Sequence, residues 1–146
     1  MDTKNEHDPL LRVGAVMPSC LRLSLKTKWF EMTKAGIKTE DYREITPYWV
    51  SRLTKCEIDP IVAAKELNEG AIYFKPEWDL TAHLPMHCYP KKFDYNLMTL
   101  GYPKNGDIEK IIRLEHKGIV IRTGNPEWGA EPNKLYFVIM HGAVIA

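Results

Sequence analysis

Eight residues, Gly36-Ile37-Lys38-Thr39-Glu40-Asp41-Tyr42-Arg43, constrain this chain more than any other stretch. Just upstream, Leu21, Leu23 and Leu25 alternate with Arg22, Ser24 and Lys26, the period-two pattern of a half-buried strand. Thr27 can cap a short helix over 28–35, and Gly36 can end it. A second strand over 38–43 then carries a lysine, two carboxylates and an arginine. Charges this dense cannot all be buried cheaply, so the pattern predicts that they line a polar cleft. On a regular strand Lys38, Glu40 and Tyr42 share one face, and Asp41 and Arg43 the other. Convergence of Lys38, Asp41 and Arg43 therefore needs the lysine in the turn, or a bulge.

Downstream, Thr46-Pro47 and Asp59-Pro60 are two helix starts, each a capping side chain before a proline at the first helical position. They predict helices over 47–53 and 61–68, the latter closed by Gly70. Residues 71–74 read as a strand, and 75–92, with three prolines and no clear period, as a long loop. Strands are expected over 93–99, 108–117, 119–122 and 135–140, with a further short one at Val144-Ile145. Asn105-Gly106 and Gly124-Asn125 are turn dipeptides. The sum is an α+β fold: a mixed, mostly antiparallel sheet of about six strands, curled into a small barrel and flanked by short helices.

At 146 residues the chain is long enough for one real core. Residues 1–18 are expected to be loose, and 19–146 to form a single domain. No apolar run approaches membrane-spanning length, so no membrane is expected as a partner. Three widely spaced cysteines, Cys20, Cys56 and Cys88, suggest reduced thiols and a cytoplasmic setting. His83, His87 and Cys88 form a metal-like trio, but Pro85 breaks the helix that would align them. Neither a metal nor another cofactor is expected. The net charge of +1 is uneven: between Arg22 and Lys55, eight Lys/Arg face four Asp/Glu, giving +4 there and −3 elsewhere. That suits local phosphate contact, and not charge-driven coating of duplex DNA.

The spacing Gly36, Lys38, Asp41, Arg43 resembles the signature of the ASCH family, small β-barrel domains related to the PUA fold, with aspartate where glutamate is usual. Leu23–Lys26, Trp29-Phe30, Glu44-Ile45 and Pro47-Tyr48-Trp49 are similar too. So are Gly101-Tyr102, Lys104-Asn105 and Asn125–Ala130 before a terminal Phe137-Val138-Ile139 strand, which resemble a phage and gut-bacterial branch of that family. The likeness covers 21–53 and 93–145, and 54–92 stands as an insertion. It implies a PUA-like barrel with a cleft that takes RNA, single-stranded nucleic acid or a nucleotide. Some relatives hydrolyse an acylated cytidine with a lysine, a threonine and a glutamate, and others are described as ribonucleases. Lys38 matches the lysine, Asp41 occupies the threonine's place, and Glu115 is the glutamate suggested by its strand.

On that reading Lys38, Asp41 and Arg43 form the cleft's polar wall, with Trp29 or Tyr42 stacking on a base. Lys26, Arg52 and Lys104 are candidate phosphate contacts, and the Tyr102 hydroxyl can reach a ligand. Were the protein an enzyme, Lys38, Asp41 and Glu115 would be its catalytic residues. A third reading makes 54–92 the interface of a phage-associated interaction module.

Overall fold

The structure, a computed structural model, describes residues 19–70, 74, 88–104 and 107–145. Five strands form one curled, half-barrel sheet in the order β1-β5-β6-β7-β2. They are β1 (Cys20–Leu25), β2 (Glu40–Glu44), β5 (Tyr95–Leu100), β6 (Ile111–Thr123) and β7 (Leu135–Val144). β1 pairs parallel with β5, and the other three pairings are antiparallel. A separate ribbon pairs β3 (Thr54–Cys56) with β4 (Cys88–Pro90). The mixed, mostly antiparallel α+β fold is as expected, with five strands in the main sheet and two beside it.

The helices are α1 (Thr27–Lys34), α2 (Pro47–Leu53) and α3 (Pro60–Glu69). Two start as the sequence dictates. Thr46 Oγ1 accepts from the Trp49 amide at 3.3 Å, and Asp59 Oδ1 from the Ile61 amide at 2.8 Å. Thr27 is not a cap: it is the first helical residue, and Lys26 precedes it with no side-chain bond to the helix end.

Leu21, Leu23, Met98, Phe137 and Ile139 on the concave face meet Phe30 of α1, Val50 and Leu53 of α2, and Ala63, Ala64 and Leu67 of α3 in one core. α3 thus belongs to the same core as the barrel, although it lies in the stretch that reads as an insertion. A smaller cluster of Tyr136, Val138 and Ala130 packs with Tyr42 on the opposite face. There the chain crosses the sheet at Gly124, where a Cβ would stand 2.7 Å from Ala130 Cβ and 2.8 Å from the Tyr42 ring.

Three expectations are corrected. Residues 108–110 form a 3-10 turn and not strand, and the runs 111–117 and 119–122 are one strand, continuous through register shifts at His116 and Gly118. Residues 88–90 are a strand, not loop. Cys56 and Cys88 are not reduced thiols but a disulfide that links β3 to β4, leaving Cys20 free. Their 32-residue separation hides the fact that the two stand directly opposite in the ribbon. The expected strand over 71–74 and the Asn105-Gly106 turn lie outside the described residues, apart from Phe74, which bridges to Cys88.

Candidate functional site

The turn after α1 folds back under the helix, because the Ile37 and Lys38 amides both donate to Met32 O, at 3.0 and 3.1 Å. That reversal drives the Lys38 side chain inward, to 2% exposure. Its Nζ donates to Glu40 O and, at 3.1 Å, to Asp41 Oδ1. Asp41 Oδ2 accepts from Arg43 Nε at 2.7 Å, and Arg43 Nη2 reaches Ser24 O on β1 at 3.2 Å. The three side chains do converge, with Lys38 in the turn. Burial pushes the Asp41 carboxyl up, but Arg43 and Lys38 outweigh it and hold the group below the ordinary aspartate range.

This geometry buries two of the three side chains expected in the polar wall. Lys38 and Asp41 are internal and line neither of the two cavities described below. Dense charge is tolerated here because each group is paired and hydrogen-bonded. Of the three, only Arg43 reaches a cavity. Asp41 fixes its guanidinium, and its far end spans the gap between β1 and β2, the two edges of the sheet.

That gap is a cavity of about 250 Å³. Arg22, Leu23 and Ser24 supply one wall, Arg43 the other, Tyr48, Trp49 and Arg52 of α2 the roof, and Thr99 with Tyr102 one end. Two guanidiniums stand against the Trp49 ring, Arg43 at 4.9 Å and Arg52 at 5.3 Å from its centroid. Arg52 donates to Arg22 O at 3.0 Å. The cavity therefore combines three cationic side chains with an aromatic face and four hydroxyl-bearing residues, Ser24, Tyr48, Thr99 and Tyr102, a composition suited to a planar ring carrying negative charge.

The other expected residues are placed as follows. Arg52 and Tyr102 line the cavity, and Tyr102 is 94% exposed. Trp29 is half-buried against the core, and a Cβ on Gly129 would stand 3.0 Å from its ring, so the 126–129 turn covers that ring. Tyr42 donates to Glu40 at 2.8 Å and accepts from the Asn125 amide at 2.9 Å. Burial, with the Glu40 carboxylate adding to it, pushes its phenol up to about 12. Lys26 and Lys104 are exposed and line neither cavity. Glu115 is exposed and accepts from the Ala143 amide at 2.8 Å, whereas Lys38 and Asp41 are buried. His83 and His87 lie outside the described residues, among which no group of three or more His, Cys, Asp or Glu is placed to hold a metal. None of the described helices is long and apolar enough to cross a membrane.

A second polar line was not legible beforehand. Asn96 Nδ2 donates to His141 Nδ1, and His116 Nδ1 meets Asn96 Oδ1, both at 2.7 Å. His141 Nε2 is buried without a partner. Burial and the nearby Lys38 push His141 down to about 4 against the pull of Asp41, so it is neutral at pH 7. The available signal was a polar residue inside each apolar strand pattern: Asn96 before Leu97-Met98, and His141 after Phe137–Met140.

No family model, curated protein or solved structure matches this chain, so the likeness to the ASCH signature rests on the residues that carry it.

Proposed function

We propose that the cavity between β1, β2 and α2 binds RNA or a nucleotide, modified or not, with Arg43 and Arg52 on phosphate and Trp49 against a base. The observation that carries this reading is the pair of guanidiniums beside the Trp49 ring in one cavity, one of them oriented by a buried carboxylate. A bidentate arginine suits phosphate oxygens, and an indole face suits any base. Tyr48 and Tyr102 are 60% and 94% exposed, far more than aromatic rings serving only the core. The cavity admits a splayed nucleotide and not a helix, which fits single-stranded recognition. Lys38 and Asp41 act behind the site: they position Arg43 and do not touch ligand.

Hydrolysis of an acylated cytidine or of RNA has less support, because Lys38 is buried and committed to Asp41 and Glu40, whereas Glu115 is exposed. The test is titration calorimetry with cytidine 5′-monophosphate and a single-stranded hexaribonucleotide. Binding by the wild type is expected, with a roughly tenfold or greater loss in Arg52→Gln and in Trp49→Ala. Equal binding by all three proteins, or none by the wild type, overturns the reading.

A further inference from the structure

A second cavity of about 410 Å³, sharing no lining residue with the first, opens between the β4–β5 connection and the middle of β6. Its volume is that of a small-molecule site. We propose that it binds a small anion with an apolar, ring-sized body and one hydrogen-bond donor, an aromatic hydroxy acid being the simplest example.

Three features built into β6 and its neighbours carry this. The first is the bulge. Register shifts flank His116, and Gly118 follows with φ of 121°, a conformation that suits glycine. The irregularity changes which residues face inward: Ile112 and Leu114 before it and Ile119 after it are all buried. His116 sits at the switch, and Lys117 beside it is exposed.

The second is the way the His116 ring is held. Its Nδ1 meets Asn96 Oδ1, and an amide oxygen only accepts, so Nδ1 carries the proton. Asn96 is itself fully buried and tied to His141, which locks the imidazole in place. Phe93 meets the same ring edge-on at 5.4 Å. Burial holds His116 below the usual histidine range, leaving a neutral ring. His116 lines the cavity, and with Nδ1 protonated and bonded to Asn96 the neutral ring's other nitrogen, Nε2, is an acceptor. A site that fixes an acceptor selects ligands with an N–H or O–H.

The third is the contrast in the lining. Phe93, Ile119, Val120 and Met140 line it with apolar surface, while Lys117 and Lys91 bring cationic side chains to the same lining. Lys91 Nζ donates to Ser51 O at 2.8 Å and has further donors. Apolar surface beside cations favours a ring with a carboxylate over either a neutral ring or a bare anion.

The test uses three probes on the full chain: 6-hydroxy-2-naphthoate, 6-methoxy-2-naphthoate, which has no donor, and 2-naphthol, which has no charge. Binding is followed by 15N NMR titration. The hydroxynaphthoate is expected to bind roughly tenfold more tightly than either other probe. Its shifts should centre on residues 116–120 and not on Arg43, Trp49 and Arg52, which keeps this site's outcome separate from that of the β1–β2 cavity. Lys117→Gln, a surface change, should cost the two carboxylates roughly tenfold and leave 2-naphthol unaffected. Equal affinity for all three probes, shifts centred elsewhere, or no binding of the hydroxynaphthoate overturns the proposal.

Discussion

At the scale of single residues, the physics of this protein lies in its buried polar groups. Lys38, Asp41, Asn96 and His141 are all within the core, and all but one of their hydrogen-bonding contacts are with one another or with fixed neighbours. The exception, His141 Nε2, has a thermodynamic consequence. His141 titrates near 6.5 in the unfolded chain and at about 4 in the folded one. Between those values the unfolded chain holds the extra proton, so acid favours unfolding. The contribution is complete above pH 6.5 and disappears as pH falls towards 4. That separation corresponds to about 3 kcal/mol. Asp41, Lys38, His116 and Glu40 act on this ring, and Asp41 reinforces the trend only at still lower pH, through its own depressed carboxyl. Urea unfolding of the wild type and of His141→Gln at pH 7 and pH 4.5 checks this. Glutamine can keep a bond to Asn96 and does not titrate, so the variant should lose about 2 kcal/mol less than the wild type across that range. Equal losses would place the acid sensitivity elsewhere.

At the scale of elements, what the sequence revealed depended on how local the information was. The starts of α2 and α3 are written in adjacent residues, Thr46-Pro47 and Asp59-Pro60, and both are found where expected. β1 and β7 follow from their apolar patterns. The sequence divides β6 at Gly118, but the inward-facing parity changes across it, which is the signature of a bulge in a continuous strand. The spacing of Lys38, Asp41 and Arg43 already requires the lysine to sit in the turn if they converge, but the depth of its burial depends on how that turn folds under α1, which no spacing reports. The β3–β4 ribbon and its disulfide are still less local, since three-residue strands carry no periodicity. The bond closes a loop of 32 residues, so its loss should cost about 3 to 4 kcal/mol through the freedom returned to the unfolded chain. Thermal unfolding with and without dithiothreitol, alongside a Cys56→Ser/Cys88→Ser double variant, measures it. The double variant should match the reduced wild type and be insensitive to reductant. An unchanged transition on reduction would mean that the ribbon is held by its other contacts alone.

At the scale of the whole molecule, the half-barrel leaves two sheet edges, β1 and β2, facing each other without a backbone ladder between them. Exposed edges invite pairing with other chains, and charged side chains are one protection. Here Arg22 and Arg43 stand at those edges, and Arg43 bridges the gap to Ser24 O. The features that blunt the edges are the same ones that give the cavity its positive charge. That charge is local, because the whole protein carries only +1. A molecule so close to neutral exerts little long-range attraction, so electrostatics should act through the two or three phosphate contacts inside the cavity. For single-stranded RNA, each neutralised phosphate contributes about −0.7 to the slope of log K against log salt. The hexaribonucleotide is therefore expected to bind with a slope of about −1.4 to −2.1, and Arg52→Gln should make it shallower by about 0.7. A slope several units steeper would show RNA spreading over the basic segment between Arg22 and Lys55 as a whole. A slope near zero would remove phosphate from the interface, and with it the part assigned to Arg43 and Arg52.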